Sequence, residues 1–74
     1  MIMGSSVIRN RIRRLRFDNN EMTQQELANR AGCTGQTIIA IEQGKYVPSL
    51  ELAFRIANAF GVPLEEVFQH KEAN

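Results

Sequence analysis

The chain has 74 residues, 43% of them hydrophobic, with nine basic side chains against eight acidic ones and a single cysteine. That length holds one domain and one core, and the apolar content argues for a folded domain over a disordered tail. One cysteine excludes an internal disulfide and a thiolate-built metal site, and no apolar run nears the ~18 residues of a membrane span. One histidine, with no nucleophile–base pair, paired carboxylates or phosphate-cradling loop, speaks against an enzyme and implies no cofactor. The opening MIMGSS lacks the apolar core of a secretion signal, which with the lone cysteine points to the cytoplasm.

The net charge of +1 hides an asymmetry: Arg9, Arg11, Arg13, Arg14 and Arg16 all precede Asp18, the first acidic residue. Such a cluster either neutralises phosphates or forms a solvated helix face. Val7 and Ile8 are β-branched and suit a short strand. Asn10 is a candidate N-cap for a first helix reaching about Phe17, with Ile12 and Leu15 on its apolar face. Arg13, Arg14 and Arg11 then point to solvent or phosphate. The polar run Asp18, Asn19, Asn20, Glu21 breaks the pattern and reads as a loop.

Thr23 and Glu26 form a capping box ahead of Leu27, with Met22 placed to staple the start of that helix. Leu27 and Ala31 lie one turn apart, and Ala28 is small enough to let a following helix cross closely. Gly32 suits the left-handed residue that ends a helix, and Thr34 supplies the next cap. Ile38 and Ile41 face inward from the next helix. Caps, turn and apolar spacing together describe a helix-turn-helix, whose second helix enters the major groove of DNA. An ordinary helical hairpin in a small bundle is the blander alternative.

With Ile38 and Ile41 buried, Gly35, Gln36, Ile39, Ala40 and Gln43 fall on the outer, base-reading face. Glutamine can bond adenine N6 and N7, and Ile39 and Ala40 can meet a thymine methyl, so the expected contact leans to A·T. Gln36 is the leading base reader. Thr34 and Thr37, near the helix start, are candidates for phosphate, though Thr37 could equally be packing. Gly44 ends the helix and Pro48 blocks its continuation; Lys45 and Tyr46 between them can reach phosphates. Arg11 joins the phosphate set. Gln24, at a helix N-terminus, sits where free N–H groups favour an anion.

Ser49 caps a fourth helix to about Phe60, and Leu50, Phe54 and Ala59 widen its apolar stripe beyond what one core contact needs. Gly61 stops it. Pro63, Glu65 and Glu66 suit the start of a fifth helix, with Leu64, Val67 and Phe68 as its apolar face. These three are either core or a dimer interface across a two-fold axis. Cys33 and His70 read as a core residue and a surface residue.

Gln24, Gln25, Glu26, Leu27, Ala28, then Ala31, Gly32, then Gln36, Thr37, Ile38, Ile41, Glu42, Gln43, Gly44, Lys45 and Pro48, Ser49, Leu50 resemble the lambda-repressor/Cro-like, or XRE, regulators across residues 10–68. The resemblance implies an all-α, five-helix lambda-repressor-like DNA-binding domain, with a short terminal two-stranded β element where the ends pair. It divides the chain into an arm (1–9), the helix-turn-helix domain (10–69) and a tail (70–74). It also implies a Gln24 clamp on the DNA backbone and an Arg16–Glu42 pair locking the first helix to the reading helix. Gly35 departs from the longer polar or basic side chain common in the family.

The implied function is a homodimeric transcriptional regulator, in the repressor sense, bound to double-stranded DNA over an inverted repeat. An antitoxin-type autorepressor gripping a toxin, and a protein-interaction module that has lost DNA, are the alternatives.

Overall fold

The computed structural model describes residues 6–72; the first five residues of the arm and residues 73–74 of the tail lie outside them. The order is β1 (Ser6–Asn10), α1 (Ile12–Asp18), α2 (Gln24–Ala31), α3 (Gly35–Glu42), α4 (Leu50–Phe60), α5 (Leu64–Val67) and β2 (Phe68–Glu72). Five helices surround one core, and β1 and β2 pair antiparallel, with Ser6 opposite Glu72 and Asn10 opposite Phe68.

Each helix begins or ends where local chemistry dictates. At α2, the Thr23 hydroxyl accepts from Glu26 N at 2.9 Å while Thr23 N donates to Glu26 Oε1 at 2.8 Å, closing the capping box. Thr34 and Ser49 cap α3 and α4 by accepting from Thr37 N and Leu52 N. Gly32 ends α2 at φ +77°, a backbone region that costs a side chain about 1–2 kcal/mol. α3 closes in a Schellman motif: Lys45 N donates to Ala40 O and Gly44 N to Ile41 O.

The core is assembled from side chains of all five helices, from one in α1 and α5 to four in α4. Ile12, Leu27, Ile38, Ile41, Ile56 and Val67 are fully buried, each contributing roughly 1.5–3 kcal/mol of hydrophobic stabilisation. Met22 and Phe60 close the periphery. Ala28 is also fully buried, and its small side chain lets α2 and α3 cross closely. No polar or charged side chain is buried among the described residues.

Two sequence expectations are corrected at the ends of the domain, and for Val67 the core alternative is the one observed. Asn10 lies in β1, and α1 begins only at Ile12; Asn10 Oδ1 still accepts from Ile12 N at 3.2 Å, so it turns the chain one residue ahead of the helix. Phe68 is extended and opens β2 instead of completing α5. Val67 is fully buried by its own subunit, which leaves it no surface to offer a second copy; Leu64 and Phe68 are half-buried against the same core. A two-stranded ladder alone is marginal in water. Here it is tied down by Phe68 on the core and by Arg11 N donating to Val67 O at 2.9 Å.

The loop between α1 and α2 carries the one strained stretch of non-glycine backbone among the described residues. Asn20 and Glu21 both have positive φ, +60° and +55°. The turn is held by Met22 N donating to Arg16 O at 2.8 Å and Glu21 N to Phe17 O at 3.1 Å.

Candidate nucleic-acid interface

α3 is eight residues long, and its inward side is set by Ile38 and Ile41. The opposite side carries Gln36 and Gln43, both exposed, with Gly35, Ile39 and Ala40 half-buried between and beside them. All five outward residues named from sequence therefore share one accessible, uncharged strip about two turns long. A strip of this kind offers amide donors and acceptors flanked by apolar atoms, which is the vocabulary needed at the edges of A·T pairs.

The strip is held rigid from behind. Arg16 Nε donates to Glu42 Oε2 at 2.7 Å and Arg16 Nη2 to Glu42 Oε1 at 3.2 Å, while Arg16 Nη1 donates to Met22 O at 2.9 Å. Gln24 Nε2 donates to the same Glu42 Oε1 at 3.0 Å. Glu42 thus gathers α1, the start of α2 and the end of α3 on one carboxylate. Asn10 Nδ2 adds a fourth tie by donating to Ile41 O at 3.0 Å. Gln24 keeps one amide N–H and its carbonyl oxygen clear of this network, at the α2 N-terminus where backbone N–H groups attract an anion.

Around the strip lie the residues named for phosphate. Thr34 is exposed and its hydroxyl is 3.0 Å from that of half-buried Thr37. Lys45 and Tyr46 are exposed in the loop that follows α3. Arg11 stands at the other end, 4.0 Å from Glu66, both more than half exposed, so this ion pair is weak. Arg11, Arg13, Arg14 and Phe17 form one wall of a cleft whose other wall is Gln24, Ile39 and Gln43. Phe17 was legible only as the end of a helix; it is 64% exposed, and its position beside the reading strip has no local signal.

Cys33 is partly buried and packs against the core, and desolvation pushes its thiol above the ordinary range, which disfavours a reactive thiolate. No group of three or more potential metal ligands occurs among the described residues, and no helix there is long and apolar enough to cross a membrane. Other exposed apolar side chains lie away from the strip: Val47 ahead of α4, and Leu50 and Phe54 one turn apart on one face of it, 67% and 48% exposed. The widened stripe read in α4 is therefore partly surface.

Comparison with known proteins agrees with this geometry. The family model described as Helix-turn-helix matches residues 12–67. An uncharacterized HTH-type transcriptional regulator of Methanocaldococcus jannaschii, MJ0272, is 48% identical over 65 residues, spanning 88% of this chain and 97% of that protein. Another HTH-type transcriptional regulator, from Methanothermobacter thermautotrophicus, is 58% identical over 48 residues, 64% of this chain and 70% of its own. The cryptic phage CTXphi transcriptional repressor RstR of Vibrio cholerae is 36% identical over 64 residues, 86% of this chain and 57% of that protein. With more than half its length inside the family model and one relative matched over 97% of that protein's own length, the chain belongs to the XRE-type helix-turn-helix family of transcriptional regulators, a non-enzymatic DNA-binding class.

Proposed function

We propose that this protein is a cytoplasmic repressor that binds an inverted-repeat operator as a homodimer, with α3 of each subunit in the major groove. The observation that carries the reading is the uncharged strip along α3, with Gln36 and Gln43 exposed and Ile39 and Ala40 half-buried between them, braced from behind through Glu42. Gln36 reads a base, Ile39 and Ala40 contact thymine methyls, and Gln24, Thr34, Thr37, Lys45, Tyr46 and Arg11 position the subunit on phosphates. The similarity to a phage repressor supports repression over activation.

Dimerisation is supported by the apolar side chains the domain leaves in water. Val47, Leu50 and Phe54 would be covered by a second copy, extended by half-buried Leu64 and Phe68. A domain of this size gains stability from such burial. The same patch also supports a second reading, an autorepressing antitoxin whose toxin covers Leu50 and Phe54; a stable complex with a second, different protein would favour it.

Selection of bound sites from random DNA, followed by footprinting, tests the proposal. The expected product is an inverted repeat with half-site centres about one turn, ~34 Å, apart, bound by two subunits. Gln36→Ala should cost about 1–3 kcal/mol at one base position and leave the others unchanged. Binding must weaken steeply with salt, since phosphate contacts release counterions; an affinity indifferent to salt would overturn the reading.

A further inference from the structure

Gly35 opens the reading helix with no side chain of its own, yet the space beside it is not empty. A methyl group built there would lie 2.8 Å from Gln25 Oε1 and 3.7 Å from Gln25 Cδ. The first distance is shorter than real contacts allow, so the Gln25 carboxamide already fills the path through which any side chain at position 35 would leave the backbone. Gln25 belongs to α2 and is exposed. Its Nε2 donates to Asn29 Oδ1, one helical turn on, at 2.9 Å. That bond orients the amide and uses one N–H. Among the described residues, the second N–H and Oε1 have no hydrogen-bond partner, which leaves one donor and one acceptor side by side at the leading end of α3.

We propose that Gln25 is a base-reading residue supplied by the supporting helix, occupying the groove space that glycine at position 35 leaves vacant. A carboxamide oriented in this way, with a free N–H and a free oxygen, matches the N7 and N6 edge of adenine in the major groove. Gly35 and Gln25 then act as one unit, and the glycine's function is to admit the neighbouring helix's side chain. This rests on the DNA-binding reading above.

The test is site selection from random duplex DNA, with affinities on the selected site and its single-base variants, for four proteins: wild type, Gln25→Ala, Gly35→Ala and the double variant. Alanine is a good helix former and Gln25 is exposed, so folding should be retained, and thermal unfolding checks it. Gln25→Ala should lose about 5- to 100-fold preference at one base pair, different from the one lost in Gln36→Ala. Gly35→Ala should lose the same preference, because its methyl displaces the flexible end of Gln25. The double variant should be no worse than either single one. An unchanged consensus in Gln25→Ala, or an equal loss on every sequence, overturns the inference while the DNA-binding reading stands. Failure of the wild type to select any consensus removes both.

Discussion

Arg16 and Glu42, twenty-six positions apart, meet in a two-point ion pair whose side chains are only 16% and 12% exposed. Its geometry makes it the hinge pin between α1 and the reading helix, and its partial burial makes either half expensive to lose alone.

Glu42→Ala removes the acceptor of Arg16 and Gln24 together and leaves a guanidinium poorly solvated. Breaking a fully buried pair costs about 3–5 kcal/mol; with the residual exposure here, about 2–3 kcal/mol is expected. In a domain this small that lowers the unfolding midpoint by roughly 10–20 °C. The Arg16→Ala, Glu42→Ala double variant should lose clearly less than the sum of the two, since one interaction is being removed twice. Additive losses would show that the two residues act separately.

Glu26 holds its carboxyl below the ordinary range, first because the Thr23 backbone N–H donates to it, then through the Thr23 side chain, with a smaller attraction from Arg30 against the opposing desolvation. A group whose folded pKa is depressed contributes stability above its unfolded value and loses it as pH falls through the lower folded one. The wild type should therefore lose stability as pH drops below about 4.3, and Glu26→Gln should flatten that part of the curve. Thermal unfolding of both proteins across the acid range measures the difference. Parallel curves would remove the capping box from the acid response.

Glu21 sits at φ +55° without the local side-chain bonding that lets asparagine tolerate this region. Glycine relieves the strain but carries more entropy in the unfolded chain, so Glu21→Gly should stabilise by only about 0.5–1 kcal/mol. Urea denaturation should show a higher midpoint at constant slope. A lower midpoint would mean that the Glu21 side chain contributes more than its backbone costs.

Leu50 occupies the first position of α4 and is mostly in water. Leu50→Glu places a negative charge where the helix dipole welcomes one, so the subunit should fold normally while its apolar patch is broken. Sedimentation is expected to show a dimer for the wild type and a monomer for the variant, with operator affinity falling accordingly. An unchanged mass would place the subunit contact elsewhere.

The parts of this fold that were legible in the sequence are those decided within a few residues. Thr23 with Glu26, Gly32, Thr34, Ser49 and Gly61 act on backbone groups beside them, so their spacing alone locates α2, α3 and α4. What escaped depends on distant neighbours. Gln24 was readable as a helix start but not as a donor to Glu42, eighteen residues on. Val67 has a spacing that suits core and interface alike, and only the packing of α5 against α4 and β2 decides that it is buried. The contact between Gln25 and the vacant side of Gly35 has no sequence signature, since an exposed glutamine looks alike wherever its amide points.

The ladder that sets Ser6 beside Glu72 makes the domain almost a closed ring. A few flexible residues could join those two positions at little entropic expense, and new termini could be opened in the α3–α4 loop near Val47. Such a circular permutant would cut the covalent link between the reading helix and α4 while leaving the rest of the architecture continuous. Its behaviour would separate what chain connectivity contributes to holding α3 in place from what side-chain contacts contribute.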